Sequence, residues 1–303
     1  MNLRIAIMTD DAGWHGVRLR DAFVAHGCSV HFASLRECRL DLADTAVPVR
    51  VPGFETRLPD GVFVRGVPGG SLEEVIFYLD VLHALREVGV PVYNDARAIE
   101  RSVDKGMTSL LLARSGVATP PTWVCADRVQ AWARVMHETA NGHEVVCKPL
   151  FGAQGDGLMR LGRGDGLPDA ERYNGIFYLQ RYIDSGEGTW HDWRVFVING
   201  RAVAAMRRNG RSWINNAAQG ARCQAALLHP ELRELGECAA AALEMSYAGV
   251  DIVRDAGGRH WVLEVNGIPA WRALQTVCNV NIADLLVVDF LDRLRGSLRE
   301  VVT

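Results

Sequence analysis

Three polar side chains interrupt two apolar stretches in the last sixty residues. Asp251 lies in the middle of GVDIV (residues 249–253), and Glu264 and Asn266 interrupt WVLEVN (residues 261–266). β-branched and other apolar residues favour strands, and residues two apart on a strand point to the same face. A carboxylate and an amide oxygen are therefore presented side by side.

The segment DAGGR (residues 255–259) predicts a turn that joins these stretches as an antiparallel hairpin. Such a hairpin brings Asp251 next to Glu264 and Asn266. Three oxygen ligands, two of them anionic, suit Mg²⁺ rather than Zn²⁺. The alternative is a hairpin whose polar residues face water. The apolar character of both strands favours the metal site.

A lysine and a glycine-rich loop form a second candidate site. Lys148 ends a predicted strand over residues 144–148, and PLFGAQGDG follows it. Glycines allow successive backbone N–H groups to converge on an anion, as phosphate-binding loops do. The loop lacks GKS or GKT, so it is not a Walker motif. Lys105 lies on a predicted helix over residues 98–115, where a solvated surface lysine is the alternative.

The composition is that of a globular chain. It has 303 residues, of which 49% are hydrophobic, and this length suffices for two or three domains. A net charge of −3 supplies no basic field for nucleic acid. No apolar run reaches the length of a membrane span, and residues 1–8 are too short for a signal peptide. The 7 cysteines include no CxxC pair, which predicts reduced thiols and a cytoplasmic location.

The first third of the chain predicts a small parallel sheet. We expect strands at residues 3–8, 29–33, 61–65 and 90–93, and helices at 17–26 and 71–88. Ligands bind at the carboxyl ends of such strands. Asp10 and His15, in the loop after the first strand, and Arg65, at the end of the third, are therefore candidate substrate contacts. A solvated loop and a surface charge are equally good interpretations. The missing GxGxxG motif argues against a dinucleotide.

The rest of the chain predicts further α and β elements. We expect strands at residues 176–183, 191–198 and 202–207, the last two joined at an Asn-Gly turn, and helices at 230–247 and 282–294. Asp192 and Arg194 lie two apart and so share one face, where Arg194 is a candidate substrate contact.

Lys105, Lys148 with its glycine loop, GVDI (residues 249–252) and LEVNGIP (residues 263–269) together resemble the ATP-grasp superfamily. Their order and spacing are most similar to the RimK-like amino-acid ligases. Residues 98–105 and 266–274 resemble the branch that adds glutamate to tetrahydromethanopterin-type coenzymes. The resemblance implies an α/β (α+β) ATP-grasp fold. It divides the chain into a pre-ATP-grasp domain (1–94), a central subdomain with the glycine-rich lid (95–178) and a subdomain with the Mg²⁺ site (179–303).

The resemblance also implies roles for individual residues. Lys105 and Lys148 hold phosphates, Asp192 faces the ribose, and Arg208 faces the γ-phosphate. Asn216 lies near metal and phosphates, and Gln219 replaces an arginine found near the acceptor carboxylate in several relatives. Arg181 replaces an acidic residue that many relatives have. The remaining nucleotide contacts are the loop residues Gly152, Gln154, Gly155 and Gly157 and the adenine hinge Gln180, Arg181, Tyr182 and Ile183.

The implied reaction is amide formation from a carboxylate and an amine through an acyl phosphate, with ATP and Mg²⁺ (or Mn²⁺) as cofactors. Arg208, Lys148 and Asn216 are the implied catalytic residues. The partners are small-molecule carboxylates and amino acids, not nucleic acid or membrane. Relatives suggest a homo-oligomer, either dimer or tetramer. The alternatives are an ATP-grasp kinase and a non-catalytic nucleotide-binding regulatory protein.

Overall fold

The computed structural model describes residues 2–44, 47–152, 155–186, 190–215 and 220–300. Its strands are β1 (Arg4–Met8), β2 (Ser29–Ala33), β3 (Arg39–Leu40), β4 (Val49–Arg50), β5 (Gly61–Val64), β6 (Val92–Tyr93), β7 (Thr122–Cys125), β8 (Val145–Lys148), β9 (Met159–Leu161), β10 (Phe177–Arg181), β11 (His191–Ile198), β12 (Arg201–Asn209), β13 (Arg222–Ala225), β14 (Tyr247–Arg254) and β15 (His260–Asn266). Its helices are α1 (Gly13–Ala25), α2 (Leu72–Glu87), α3 (Ala96–Val103), α4 (Lys105–Arg114), α5 (Arg128–Ala140), α6 (Pro230–Ala242), α7 (Arg272–Gln275) and α8 (Ile282–Glu300).

Three main sheets organise these elements. The first is parallel, in the order β2-β1-β5-β6, as expected from the alternation of strands and helices. The second is antiparallel, in the order β7-β10-β8-β9. The third is antiparallel, in the order β13-β12-β11-β14-β15. The predicted mixed α/β (α+β) architecture is confirmed.

The last helix packs on the first sheet. Phe290 of α8 contacts the rings of Phe23, Phe63 and Tyr93, at centroid distances of 5.4, 6.1 and 5.6 Å. The chain therefore returns to its starting domain after completing the third sheet. The expected boundary after residue 178 also falls inside β10, which belongs wholly to the second sheet.

Two of the predicted helices differ from the structure at predicted site residues. The helix expected over residues 98–115 is interrupted at Asp104, whose extended backbone ends α3 and whose carboxylate accepts a 3.0 Å hydrogen bond from the amide of Met107. An aspartate at this position caps the start of a new helix, so Lys105 is the first residue of α4. The helix α1 begins at Gly13, which places His15 in its first turn and not in a loop.

The hairpin predictions are confirmed. Asn199 and Gly200 both have positive φ, at 50° and 68°, as a tight turn between β11 and β12 requires. In β14 and β15, Asp251 lies opposite Glu264, and Gly249 lies opposite Asn266. In the part of the chain that the structure describes, no helix is both long and apolar enough to span a bilayer.

Candidate active site

A cavity of about 800 Å³ lies between the second and third sheets, and most of the predicted site residues line it. Those residues are Lys105, Lys148, Gly152, Gly155, Gln180, Arg181, Tyr182, Ile183, Asp192, Arg194, Arg208, Asp251, Glu264 and Asn266. The structure brings them together from strands β8, β10, β11, β12, β14 and β15 and from α4. Gln154, Asn216 and Gln219 lie outside the described residues.

Asp251 is held by two arginines. Its carboxylate oxygens accept hydrogen bonds of 2.7 Å each from Nε and Nη2 of Arg194. Nη2 of Arg208 lies 3.1 Å from the same carboxylate. Burial opposes ionisation, but the two guanidinium groups outweigh it and hold the pKa of Asp251 at about 2. Arg194, expected to contact substrate, is therefore engaged by a protein carboxylate.

Arg208 links Asp251 to Asp192. Its Nε donates a 2.5 Å hydrogen bond to Asp192, and only 3% of its side chain is exposed. Burial raises the pKa of Asp192 to about 6, although Arg208 favours the charged carboxylate. Arg208 was predicted to face the γ-phosphate. It does line the cavity, but Nε and Nη2 already bind carboxylates, which leaves Nη1 for a ligand.

Glu264 differs from its neighbour Asp251. In the described ranges, no lysine or arginine nitrogen lies within 4.0 Å of its carboxylate. Burial raises the pKa of Glu264, and the charge of Asp251 adds to this effect. A carboxylate that lines a cavity beside a second carboxylate, without an ion pair, fits a bound cation.

The oxygen donors on this hairpin suit Mg²⁺. Nδ2 of Asn266 donates to the carbonyl of Gly249 at 3.3 Å, which leaves its amide oxygen for a ligand. Within the described residues, no three His, Cys, Asp or Glu side chains form a metal cluster. Two acids and an amide oxygen would therefore hold the ion together with substrate oxygens or water, as Mg²⁺ sites commonly do.

Two lysines supply positive charge to the cavity. Nζ of Lys105 donates to the carbonyl of Gly152 at 2.7 Å, and Nζ of Lys148 donates to Oε1 of Gln180 at 2.7 Å. Burial lowers the pKa of Lys148 to about 8, and burial also lowers the pKa of Lys105. Both ammonium groups have neutral oxygen partners, so an anionic ligand would stabilise them.

The hinge residues after Gln180 are only partly available to a nucleotide. The guanidinium of Arg181 pairs with Glu138 at 2.8 Å. The amides of Arg181 and Tyr182 donate to the carbonyls of Pro121 and Glu144. The predicted backbone contacts to adenine through these two amides are therefore not open in this structure.

Asp10, His15 and Arg65 do not line this cavity. Asp10 accepts hydrogen bonds from the hydroxyl of Ser34 at 2.6 Å and from Nε of Arg36 at 3.0 Å, which is a surface ion pair. His15 and Arg65 pack behind the wall that residues 268–272 form. Gly157 does not line the cavity either, and its carbonyl accepts a hydrogen bond from the hydroxyl of Tyr173.

Sequence analysis missed Asn94, which is fully buried and joins both strands of the acidic hairpin. Its Nδ2 donates to the carbonyls of Tyr247 and Gly267 at 2.7 and 2.6 Å. Its Oδ1 accepts from the amides of Ser246 and Tyr247 at 2.8 and 3.1 Å. No local sequence pattern signals this role, because the partners lie over 150 residues away.

Comparison with known proteins yields a consistent result. Residues 102–290 match the RimK-like ATP-grasp domain. The chain is 35% identical over 239 residues to the tetrahydromethanopterin:alpha-L-glutamate ligase of Methanocaldococcus jannaschii, covering 75% of this chain and 78% of the relative. It is 29% identical to the alpha-aminoadipate--LysW ligase LysX of Saccharolobus solfataricus over 67% of this chain and 75% of the relative. Its fold matches the ATP-grasp ligase PsnB with a TM-score of 0.73 and 21% identity, covering 96% of this chain and 99% of the other.

Proposed function

This chain belongs to the RimK-like ATP-grasp family, and we propose on that premise that it is an ATP-dependent ligase that joins a carboxylate to an amino acid. The observation that carries the proposal is the cavity in which two lysines face an acidic hairpin. Relatives named as glutamate ligases support L-glutamate as the amine. A coenzyme or peptide carboxylate is the proposed acid.

The reaction needs little covalent chemistry from the protein. The substrate carboxylate attacks the γ-phosphorus of ATP, which gives an acyl phosphate and ADP. The amine then attacks the acyl carbon, and phosphate leaves as the amide forms. Lys105 and Lys148 bind phosphate oxygens and offset their negative charge.

Asp251, Glu264 and Asn266 would hold Mg²⁺, or Mn²⁺ as an alternative. The ion, when bound, neutralises charge on the phosphates and orients them for in-line attack. Arg194 and Arg208 fix the Asp251 carboxylate within the cavity through the bonds described above. Together they keep one ligand of the site in place and ionised.

The test is ADP release from MgATP with a panel of amino acids and a glutamate-terminated coenzyme or its precursor as acid. We expect ADP only when acid and amine are both present, and we expect L-glutamate to be the best amine. ADP formed with acid alone would contradict a strict ligase. Trapping with hydroxylamine would then separate a leaking acyl phosphate, which gives a hydroxamate, from a stable phosphorylated product of a kinase. A protein that binds ATP and never forms ADP would be a regulatory subunit.

Three further features belong to the same proposal. The three domains expected from the sequence stay a proposal, with α8 assigned to the first. A dimer or tetramer is proposed by analogy and is checked by light scattering. The cytoplasmic location is proposed from the cysteines, and all 7 are free thiols in the structure.

A further inference from the structure

Two arginines lie at the wall of the cavity that is formed by residues 268–272. Arg272 is part of this wall, and Arg65 contacts it at Ile268. Arg65 comes from the carboxyl end of β5, and Arg272 is the first residue of α7. Trp271, the neighbour of Arg272 in the sequence, is fully buried, and the Arg65 guanidinium is 5.3 Å from its ring centroid. We call Arg65, Arg272, Trp271 and His15 the Arg65–Arg272 cluster.

Among the described residues, neither arginine has a counter-ion. In the ranges that the structure describes, no Asp or Glu oxygen lies within 4.0 Å of Arg65 or Arg272. Arg65 makes one long hydrogen bond, of 3.4 Å, to the carbonyl of Ile268. Arg194 and Arg208, in contrast, each bind a buried carboxylate. The Arg65 guanidinium is partly buried, and such a group without an anion is costly. Arg272 is exposed and adds positive charge at the cavity, so the cluster favours an anionic ligand.

His15 fixes the backbone of the cluster. Its Nε2 accepts hydrogen bonds from the amides of Trp271 and Arg272, at 3.1 and 3.2 Å. An amide can only donate, so the imidazole is neutral and carries its proton on Nδ1. Burial lowers the pKa of His15 to about 4, with Arg65 and Arg272 adding to the effect. The ring therefore stays uncharged at neutral pH and holds Arg272 at the start of α7.

The cluster borders the reaction cavity. Ile268, Pro269 and Arg272 line the cavity that also contains Glu264 and Lys105. The Arg65 guanidinium reaches the carbonyl of Ile268 from behind this wall. Arg272 lines the cavity and Arg65 does not, so an anion bound by both arginines would lie at the edge of the cavity, on the side of the first sheet.

Resting on the ligase function proposed above, we propose that Arg65 and Arg272 bind a substrate carboxylate that the reaction does not consume. Arginine recognises carboxylates through paired N–H groups, and a stacked guanidinium is already oriented for this contact. Such a carboxylate is present on an acidic amino acid and also on a polycarboxylic acid substrate. The chemistry is the same in both cases.

The test is calorimetric titration of the full chain with MgADP present. The probes are L-glutamate, L-glutamine, L-isoglutamine and N-acetyl-L-glutamate, and the variants are Arg65→Gln and Arg272→Gln. Arg134→Gln is the matched control, because Arg134 is also half-buried, lies 4.9 Å from the Trp123 ring centroid and is outside the cavity. Loss of one charged contact weakens binding by about 10- to 100-fold.

We expect this weakening for L-glutamate or N-acetyl-L-glutamate with both variants and not with Arg134→Gln. L-Glutamine lacks the side-chain carboxylate of L-glutamate, and L-isoglutamine lacks its α-carboxylate. If the variants weaken the binding of L-glutamate but not the binding of one of these two amides, the arginines bind the carboxylate that this amide lacks. If the two variants weaken the binding of N-acetyl-L-glutamate and of no other probe, the carboxylate that the arginines bind belongs to the acid substrate. His15→Ala should raise the KM of the carboxylate probe and leave the KM of ATP unchanged.

Three results would overturn the inference: wild-type protein that binds none of the probes, unchanged affinities in both variants, or equal weakening in the Arg134→Gln control. The ADP-release assay on the wild-type protein tests the ligase function separately. Amide formation that persists while the variants bind normally would refute only the carboxylate site.

Discussion

Replacement of Asn94 by Leu should strongly destabilise the protein, since this side chain satisfies four backbone groups at once. The leucine is similar in volume but cannot hydrogen-bond. It leaves the carbonyls of Tyr247 and Gly267 and the amides of Ser246 and Tyr247 without the partner that they have now. An unsatisfied buried polar group costs about 1–3 kcal/mol. With partial relaxation, we expect a total loss of about 4–6 kcal/mol.

Asn94→Asp supplies a second test through pH. The carboxylate keeps an acceptor, but it faces two carbonyl oxygens and is buried, so the pKa of the introduced carboxyl should be raised above its unfolded value of about 3.9. A group with a raised folded pKa contributes its full stability below the unfolded pKa and loses it as the pH rises through the folded pKa. The stability deficit relative to wild type should therefore be largest at pH 7 and shrink toward pH 4.

Urea unfolding at several pH values measures both effects. Asn174→Asp is the control, because Asn174 is exposed at a left-handed turn position that aspartate also tolerates, and it should change stability by less than about 0.5 kcal/mol. An Asn94→Leu variant within 1 kcal/mol of wild type would refute the reasoning. A deficit of Asn94→Asp that does not change with pH would show that the carboxyl group is not held against the two carbonyls.

Three further changes probe the cavity. Because the pKa of Lys148 is lowered to about 8, MgADP binding at pH 8 should take up about half a proton, and the affinity for MgADP should weaken at higher pH. Calorimetry in buffers of different ionisation enthalpy measures this uptake, and the Lys148→Arg variant should show none. Glu264→Gln should lower kcat about 100-fold or more through loss of Mg²⁺. The same variant should keep or raise Tm, because it removes a charge that is unfavourable next to Asp251, and a lower Tm would contradict this unfavourable interaction. Gly267→Ala should lower the free energy of unfolding in urea by about 1–3 kcal/mol, because the new Cβ would lie 2.6 Å from Oγ of Ser102. The double variant with Ser102→Ala should recover part of this stability.

The acidic hairpin was predictable from the sequence because its signals are local. Alternation on a strand has a fixed period of two, and a Gly-Gly turn closes two adjacent strands. These rules placed Asp251 beside Glu264 and Asn266 without knowledge of the rest of the chain, and the observed register agrees. The start of the helix predicted at residue 71 was predictable for the same reason, because Ser71 and Glu74, three residues apart, form a capping box there.

Helix boundaries were less well predicted where two local signals compete. The run around Lys105 has helix-forming residues on both sides of Asp104, and only the cap formed by its carboxylate decides that two helices exist. The helix expected to reach residue 247 ends at Ala242, since Glu244 adopts a φ of 60° and the chain turns into β14. A side-chain cap decides the first of these ends and the turn at Glu244 decides the second, and the pattern of apolar residues alone gives neither.

The sequence by itself determined the chemistry that is available: two lysines, a glycine loop, and two acids with an amide. The tertiary structure decided which of these groups are free to act. Arg194 and Arg208 became partners of Asp251, while Arg65 and Arg272 have no carboxylate partner within the described part of the chain. Such pairings join residues far apart in the chain, and their energies depend on burial and distance. Neither quantity exists until the sheets have packed together.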